Sequence, residues 1–274
     1  MDSLFSGLDA FGMEEIDTKD LFADTMGEPI EGMSQIEEID IAELLYDRPV
    51  RCPVCNTVFN ARTVKQGVTK MEGTQVNLRP IYKTVDLICY DVVHCEVCGY
   101  TALNRNFKKL SDRQVKQVKE KISMKFIGKK YPEVYSYDIA LERYKMALYT
   151  DMVIARKEVD KAYLCLKITW LLESLIYQTK SEEEKEGLRQ AYQIYVDNAY
   201  KGFSKNYSHV TFPIFGMNQS TYQYLLGSLA YAAKDLKNTS YWLGKIMLSP
   251  ISSARIKDKA RDLKAKIDED KEEM

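Results

Sequence analysis

The sequence predicts an α+β protein that is predominantly α-helical, in which a small antiparallel β head of zinc-ribbon type precedes a body of tetratricopeptide-like helical hairpins. Two Cys-x-x-Cys pairs flank short alternating runs of β-branched and aromatic residues, which are typical of small antiparallel strands. From Ser111 onward, apolar residues recur with the 3.6-residue period of helices. These observations divide the chain into a tail at 1–45, a β domain at 46–104 and a helical repeat-like domain at 105–274.

The amino-terminal tail is predicted to be acidic and mostly disordered. Residues 1–47 hold 14 acids and one base, a net charge of −13, so the rest of the chain carries about +12. Scattered large apolar residues, such as Phe5 and Phe11, leave open a short amphipathic motif that docks on a partner. The opposite charges also suggest that the tail occupies the basic body until a partner displaces it.

Cysteine usage favours metal ligation over disulfides. The sequence does not start with a basic region followed by an apolar stretch, so no secretory signal is visible. The longest apolar runs, such as residues 224–233, are too short to cross a membrane. We therefore expect a cytoplasmic protein that does not bind membranes. In that reducing compartment, paired cysteines indicate a metal site before they indicate disulfides.

The predicted metal ligands are Cys52, Cys55, Cys95 and Cys98. Each pair has the spacing of a zinc knuckle, a tight turn whose backbone N–H groups point at the sulfurs. Asn56 and Gly99 follow the two pairs where a left-handed residue is needed, and these are the residue types that tolerate that conformation best. The 39 intervening residues exceed the usual gap, but each doubling of a loop costs only about 0.6 kcal/mol.

Zinc in a structural role is the predicted occupant of this site. Four thiolates fill a tetrahedral coordination sphere, which leaves no position for water and makes Lewis-acid catalysis unavailable. Iron remains the alternative, because Cys98-Gly99-Tyr100 resembles the turn of rubredoxins and four sulfurs suit either metal.

The other cysteines and His94 are predicted to stay outside the metal site. Cys89 and Cys165 are interpreted as buried packing residues. Neighbouring side chains of a strand face opposite ways, so His94 points away from the metal if Cys95 points toward it. His94 is therefore expected at the surface or behind the ligands.

Helices are predicted for the rest of the chain. Ser111 caps the first, whose apolar face comprises Val115, Val118, Ile122 and Phe126. The others are placed near 133–155, 158–179, 182–204, 218–235, 238–248 and 253–271.

One predicted hairpin, residues 224–250, resembles a tetratricopeptide repeat. Gly227 and Thr239 are small where two helices approach closely, Leu243 is large enough to fill the groove, and Pro250 closes the unit. Residues 146–166 form a weaker copy. A generic helical hairpin explains both stretches equally well.

Three sequence segments resemble a bacterial family known as domain of unknown function 2225. They are residues 46–55 (YDRPVRCPVC), 79–82 (RPIY), and 90–92 (YDV) leading into 95–102 (CEVCGYTA), with a looser match through the helical part to about Met247. Asn56 stands where glycine is expected in that pattern. The resemblance implies a zinc-ribbon-like head on a helical-repeat body. It implies no activity and no catalytic residues.

The function favoured by the sequence is a non-catalytic, zinc-binding interaction scaffold. The sequence contains no nucleophile with its base and no phosphate loop, and the loop residue His209 is interpreted as incidental. Stacked hairpins form concave surfaces that suit a protein or peptide partner, and tyrosines would furnish contacts at positions 192, 195, 200, 222, 224 and 231. Packing between helices is the alternative role of these tyrosines. The sequence leaves the oligomeric state open.

Nucleic-acid binding by the zinc ribbon and a basic helix at 105–130 is the alternative function. Bases cluster there at positions 105, 108, 109, 113, 116, 119, 121, 125, 129 and 130, and Tyr100 and Phe107 are candidates for stacking on nucleobases. Lysines on the exposed face of an amphipathic helix are, however, usually only solvated. A rubredoxin-like iron electron carrier is the third possibility.

Overall fold

The β head consists of three two-stranded antiparallel sheets in the computed structural model, which describes residues 40–272. The hairpins are β1 (Leu45–Arg51) with β2 (Val58–Val64), β3 (Met71–Thr74) with β4 (Pro80–Tyr82), and β5 (Val92–His94) with β6 (Thr101–Leu103). In the first hairpin, the strands close with Arg51 opposite Val58, and in the third with His94 opposite Thr101. Each of these two hairpins therefore ends in a six-residue loop that carries one cysteine pair.

The predicted tail lies outside the described residues, apart from its last six positions. Asp40 accepts a hydrogen bond of 2.9 Å from the amide of Ala42 and so caps a 3-10 turn at Ile41–Leu44. Leu45 then opens β1 as a buried residue. Residues 40–45 thus lead directly into the first hairpin of the head. The predicted docking of the tail on the basic body also falls outside the described part of the chain.

Residues 85–93 are one of the short alternating runs from which the sequence predicts strands, but they form a turn followed by a short strand. The carboxylate of Asp86 accepts a hydrogen bond of 3.1 Å from the amide of Ile88 and caps a 3-10 turn at Leu87–Tyr90. That turn buries both Ile88 and Cys89 on the same side. The cap, which competes with extended structure, explains why alternation was misleading here.

The helical body contains seven α-helices within residues 40–272. They are α1 (Asp112–Val118), α2 (Tyr137–Val153), α3 (Glu158–Gln178), α4 (Glu182–Asn206), α5 (Gln219–Ala232), α6 (Leu236–Leu248) and α7 (Ala254–Glu272). Side-chain caps begin six of them, from Ser111, Ser136, Ser181, Asn218, Asp235 and Ser253. The predicted bounds of α2–α7 agree with these to within four residues, and the predicted α+β, mostly α class is confirmed.

The basic segment 105–130 is less helical than predicted. Ser111 forms the expected capping box with Gln114, but α1 ends at Val118 and continues as a π-helical turn at Lys119–Ser123. Residues 124–136 have no regular structure. The wider turn keeps Ile122 buried against the head along with Val118.

Small residues bring consecutive helices close together. A Cβ atom added to Gly227 of α5 would lie 3.2 Å from Leu243 of α6, and one added to Gly202 of α4 would lie 2.6 Å from Ala162 of α3. These contacts fit the predicted hairpin packing at Gly227 and Leu243. Whether the hairpins constitute tetratricopeptide repeats stays a prediction.

Two buried cations attach the head to the body. Arg143 of α2 donates a hydrogen bond of 2.6 Å to the carbonyl of Val92 in β5, and Lys167 of α3 pairs with Asp91 at 2.8 Å. Both cations find acceptors where the third hairpin begins, at Val92 and at Asp91 just before it, which satisfies charges that would otherwise be costly to bury. Within residues 40–272, no helix combines the length and the apolarity needed to cross a membrane.

Candidate metal centre and cleft

The first cysteine loop is a knuckle fixed by its own backbone. The amide of Cys52 donates to the carbonyl of Thr57 at 2.9 Å, and the amide of Asn56 donates back to the carbonyl of Cys52 at 3.0 Å. The amide of Val54 lies 3.5 Å from the sulfur of Cys52. Backbone donors therefore face the first ligand, as predicted.

The second loop repeats this pattern residue for residue. The amide of Cys95 donates to the carbonyl of Tyr100 at 2.9 Å, and the amide of Gly99 donates to the carbonyl of Cys95 at 2.9 Å. The amides of Val97 and Cys98 hydrogen-bond to the sulfur of Cys95. The two loops thus present their sulfurs through the same turn geometry.

Both knuckles contain the predicted left-handed residue. Asn56 has φ 63° and Gly99 has φ 75°, a region that costs other L-residues about 1–2 kcal/mol. Gly99 is needed for a second reason: a Cβ atom there would lie 2.7 Å from the ring of Phe126 and 3.1 Å from Ile122.

All four predicted ligand sulfurs converge, with every Sγ atom within 4.8 Å of the others. The Sγ–Sγ distance is 3.6 Å between Cys52 and Cys98, and 3.6 Å between Cys55 and Cys95. A tetrahedron with metal–sulfur bonds of about 2.3 Å has edges of about 3.8 Å. The cluster therefore has the dimensions that one tetrahedral ion requires.

The electrostatics of the cluster also favour a cation. Hydrogen bonds from the thiols of Cys52 and Cys98 lower the pKa of Cys95, whereas hydrogen bonding to Cys52 and Cys95 raises the pKa of Cys98. The charge of one thiolate thus opposes ionisation of its neighbours. Four thiolates at these distances need a cation to neutralise them, so the donor set fits zinc or iron.

The surroundings of the cluster are apolar and differ between the loops. Cys52, Cys95 and Cys98 are buried, while Cys55 is half-buried. Apolar side chains from α1, the π-helical turn and the residues next to α1 and α2 pack around the four cysteines. Among them are Leu110, Val118, Ile122 and Ile154. The site is thus closed on the side of the second knuckle and more open at the first.

His94 is buried beside the second knuckle and outside the sulfur cluster, which fits the predicted place behind the ligands and excludes the alternative at the surface. Its exposed fraction is 4%, and its ring packs edge-on against Phe126 and Tyr131. The hydroxyl of Thr101 donates to the carbonyl of Gly99 at 2.9 Å, so the contact of 2.7 Å between His94 Nδ1 and Thr101 Oγ1 requires the proton on Nδ1. His94 therefore adds a side-chain hydrogen bond to its backbone pairing with Thr101, at the base of the second knuckle. Burial lowers its pKa to about 4.

The remaining cysteines lie outside the sulfur cluster. Cys89 and Cys165 are both buried in the main apolar core, which confirms their predicted packing role. Burial raises the pKa of each thiol to about 12. His209 is exposed in the turn after α4, consistent with an incidental loop residue.

The aromatic residues proposed for base stacking are not available. Tyr100 has 0% exposure, and Phe107 is half-buried with its ring centroid 5.0 Å from that of Tyr100. Both rings pack inside the head, so neither can stack on a nucleobase.

The ten lysine and arginine residues of the segment 105–130 are all exposed.

A cleft of about 890 Å³ lies between the β3–β4 hairpin and the helical body. Helices α2, α3, α4, α5 and α7 contribute to its walls, and five of the lining residues are tyrosines, at positions 82, 137, 177, 192 and 231. Tyr177 is 91% exposed, whereas the predicted contact residues Tyr222 and Tyr224 are buried in the core. Tyr192 and Tyr231 are thus the members of the predicted tyrosine set that face the cleft.

The polar floor of the cleft was not recognised in the sequence. Asn77, in the β3–β4 turn, donates to both oxygens of Glu173 at 2.8 and 2.7 Å, and Tyr192 donates to the same carboxylate at 3.0 Å. Arg79 pairs with Asp86 at 2.7 Å and donates to the carbonyl of Trp170. Residues almost one hundred positions apart build this network, so no local pattern could reveal it.

A β head with two matched cysteine knuckles on a helical body defines a class of α+β proteins equipped to hold a metal ion. The chain belongs to the bacterial family described as "Uncharacterized protein conserved in bacteria (DUF2225)", whose model matches residues 45–267. The match begins with β1 and ends inside α7, so it covers head and body, and the family resemblance is confirmed. No curated protein and no solved structure matches the chain.

Proposed function

We propose that this protein is a non-catalytic scaffold whose metal-stabilised head and helical body together hold a segment of a protein partner. The observation that carries the proposal is the cleft of about 890 Å³ with its five lining tyrosines. Ligand sites usually lie in clefts of about 300–1,000 Å³. Tyrosine is enriched in recognition surfaces because its ring buries area while its hydroxyl bonds to polar groups.

Zinc is the proposed ion, and its role is structural. The four sulfurs of the two knuckles would fill a tetrahedral sphere, and such sites contribute directly to folding. The β3–β4 hairpin that walls the cleft belongs to the segment between the two cysteine pairs. The metal would thus hold one wall of the binding cleft against the helices.

A peptide-display selection tests the binding role. The full-length, metal-loaded protein is screened against random peptides, and enriched sequences are re-tested on Tyr177→Ala, which removes the most exposed tyrosine of the cleft. Tyr241→Ala is the matched control, since Tyr241 is 51% exposed on α6 and does not line the cleft. We expect enriched peptides to lose affinity with the first variant only. Equal affinity for both variants would exclude the cleft as the binding surface.

Nucleic-acid binding is the second candidate, supported by the ten exposed bases of the segment 105–130. Tyr100 and Phe107 pack inside the head and cannot stack on nucleobases. The exposed lysines and arginines could therefore contact only the phosphates of a nucleic acid. Such binding would weaken steeply with salt and would be independent of sequence. A salt titration with a duplex and a single strand measures it.

A further inference from the structure

The cleft contains a carboxylate that has no cation to pair with. Glu173 is half-buried, and burial raises its pKa, while hydrogen bonds from Asn77 and Tyr192 and the positive charge of Arg79 act in the opposite direction. Within residues 40–272, no lysine, arginine or histidine nitrogen lies within 4.0 Å of it. The neighbouring Arg79 is engaged by Asp86 at 2.7 Å instead. A partly desolvated carboxylate whose hydrogen-bond donors are both neutral, and whose nearest cation is paired with another carboxylate, retains its attraction for a cation.

Aromatic rings stand around this carboxylate. Tyr177 lies one helical turn after Glu173, so both side chains project from the same face of α3. Tyr192 contributes its hydroxyl from α4, at 3.0 Å from the carboxylate. Aromatic faces attract ammonium and guanidinium groups, and this attraction is weaker but still present at an exposed ring such as that of Tyr177.

We propose that the cleft binds a lysine or arginine side chain presented by a peptide segment of the partner. The cationic head pairs with Glu173, and its alkyl stem lies against Tyr177. This inference rests on the proposed function, because it names the chemistry that the cleft selects in the bound segment. A free polyamine offers the same ammonium chemistry, and the test below separates the two sources.

Trp170 provides a local reporter for occupancy of the cleft. Its indole N–H donates to the carbonyl of Asn77 at 3.3 Å, and Asn77 in turn holds Glu173. The chain has two tryptophans, and neither lines the cleft, but Trp170 reaches it through the lining residue Asn77, whereas Trp242 lies on α6. The two indole N–H signals of a ¹⁵N NMR spectrum therefore give one reporter and one internal reference.

The experiment titrates full-length, metal-loaded protein with three probes: a capped heptapeptide with one central lysine between leucines, its acetyl-lysine counterpart, and spermidine. We expect the lysine peptide to shift the Trp170 signal and the acetyl-lysine peptide to leave it unchanged. In Glu173→Gln, which keeps the shape and removes the charge, the affinity should fall about tenfold or more, as for loss of one partner of a buried charge pair. Glu183→Gln removes the same charge from an exposed site outside the cleft and should bind like the unmodified protein.

Each other result overturns part of the inference. Equal affinity of Glu173→Gln for the lysine peptide, or equal binding of the acetyl-lysine peptide, would exclude recognition of a cation while the peptide cleft of the proposed function stands. Tighter binding of spermidine than of the lysine peptide would identify a free amine as the ligand. No shift by any probe up to about 10 mM, a concentration that detects even millimolar affinities, would exclude the site. Metal content and thermal unfolding of both variants establish that they remain folded.

Discussion

The two knuckles share one backbone geometry but lie in different surroundings. In the first, Cys55 is half-buried and Asn56 is exposed, so the loop lies at the edge of the head. In the second, Cys98 is buried and Gly99 lies directly under Phe126. The sulfur-presenting turn is thus set by local chain geometry, whereas the stability of each loop depends on what packs over it. We expect changes in the second knuckle to be the more damaging.

The largest expected effect is loss of a buried cysteine from the proposed metal site. Cys95→Ser should abolish stoichiometric metal binding and lower the free energy of unfolding by on the order of 5 kcal/mol or more, because structural zinc contributes directly to folding. Metal analysis and chemical denaturation measure the two quantities. Cys89→Ala is the control, since Cys89 packs in the core away from the cluster; it should keep the metal and lose only about 1 kcal/mol. Full metal content in Cys95→Ser would contradict the proposed ligand set.

The colour of the purified protein distinguishes zinc, which is colourless, from iron.

A smaller effect distinguishes the left-handed positions. Gly99→Ala should lower the free energy of unfolding by about 3 kcal/mol, because it adds left-handed strain to a clash with the Phe126 ring. Asn56→Ala adds only the left-handed strain, because position 56 is exposed and has no clash. Its free energy of unfolding should fall by about 1 kcal/mol. Denaturant unfolding of the two variants gives the comparison. Equal losses would show that packing over the second knuckle does not matter.

The smallest effect is a difference in labelling rate. Once a chelator has removed the metal, N-ethylmaleimide should label Cys55 before Cys52, Cys95 and Cys98, because Cys55 is the most accessible of the four ligands. Peptide mass spectrometry at successive times measures the order. Cys165 should stay slow throughout, since it is buried and its pKa is raised to about 12. Labelling of Cys98 ahead of Cys55 would reverse the proposed asymmetry.

The sequence predicts those features that depend on a few consecutive residues. The left-handed positions Asn56 and Gly99 follow from the knuckle itself, and the start of α1 follows from the cap at Ser111. The same local reasoning was wrong for residues 85–93, where Asp86 caps a turn inside an alternating run. The tendency of β-branched and aromatic residues to form strands can thus be overruled by one hydrogen bond between a side chain and the backbone two residues later.

Features formed by distant segments could not be predicted. The sequence left His94 either at the surface or behind the ligands, and the choice depends on Phe126 and Tyr131, some thirty residues later, whose rings pack against it. Glu173 looks like an ordinary helix residue until Asn77 meets it across the cleft. Such contacts depend on how the β3–β4 hairpin and the loop after α1 pack on the helices, which no periodicity encodes.

The 39 residues between the cysteine pairs form a ring whenever a metal joins Cys55 to Cys95. Within this segment, away from both cysteine pairs, Arg79 donates a hydrogen bond to the carbonyl of Trp170 in α3. Opening the ring by metal loss would free the ends of the segment that carries Asn77, and the entropy it regains would oppose an ordered cleft wall. Ligand affinity should therefore vary with metal occupancy, and preparations that differ in metal content would report different dissociation constants for the same peptide.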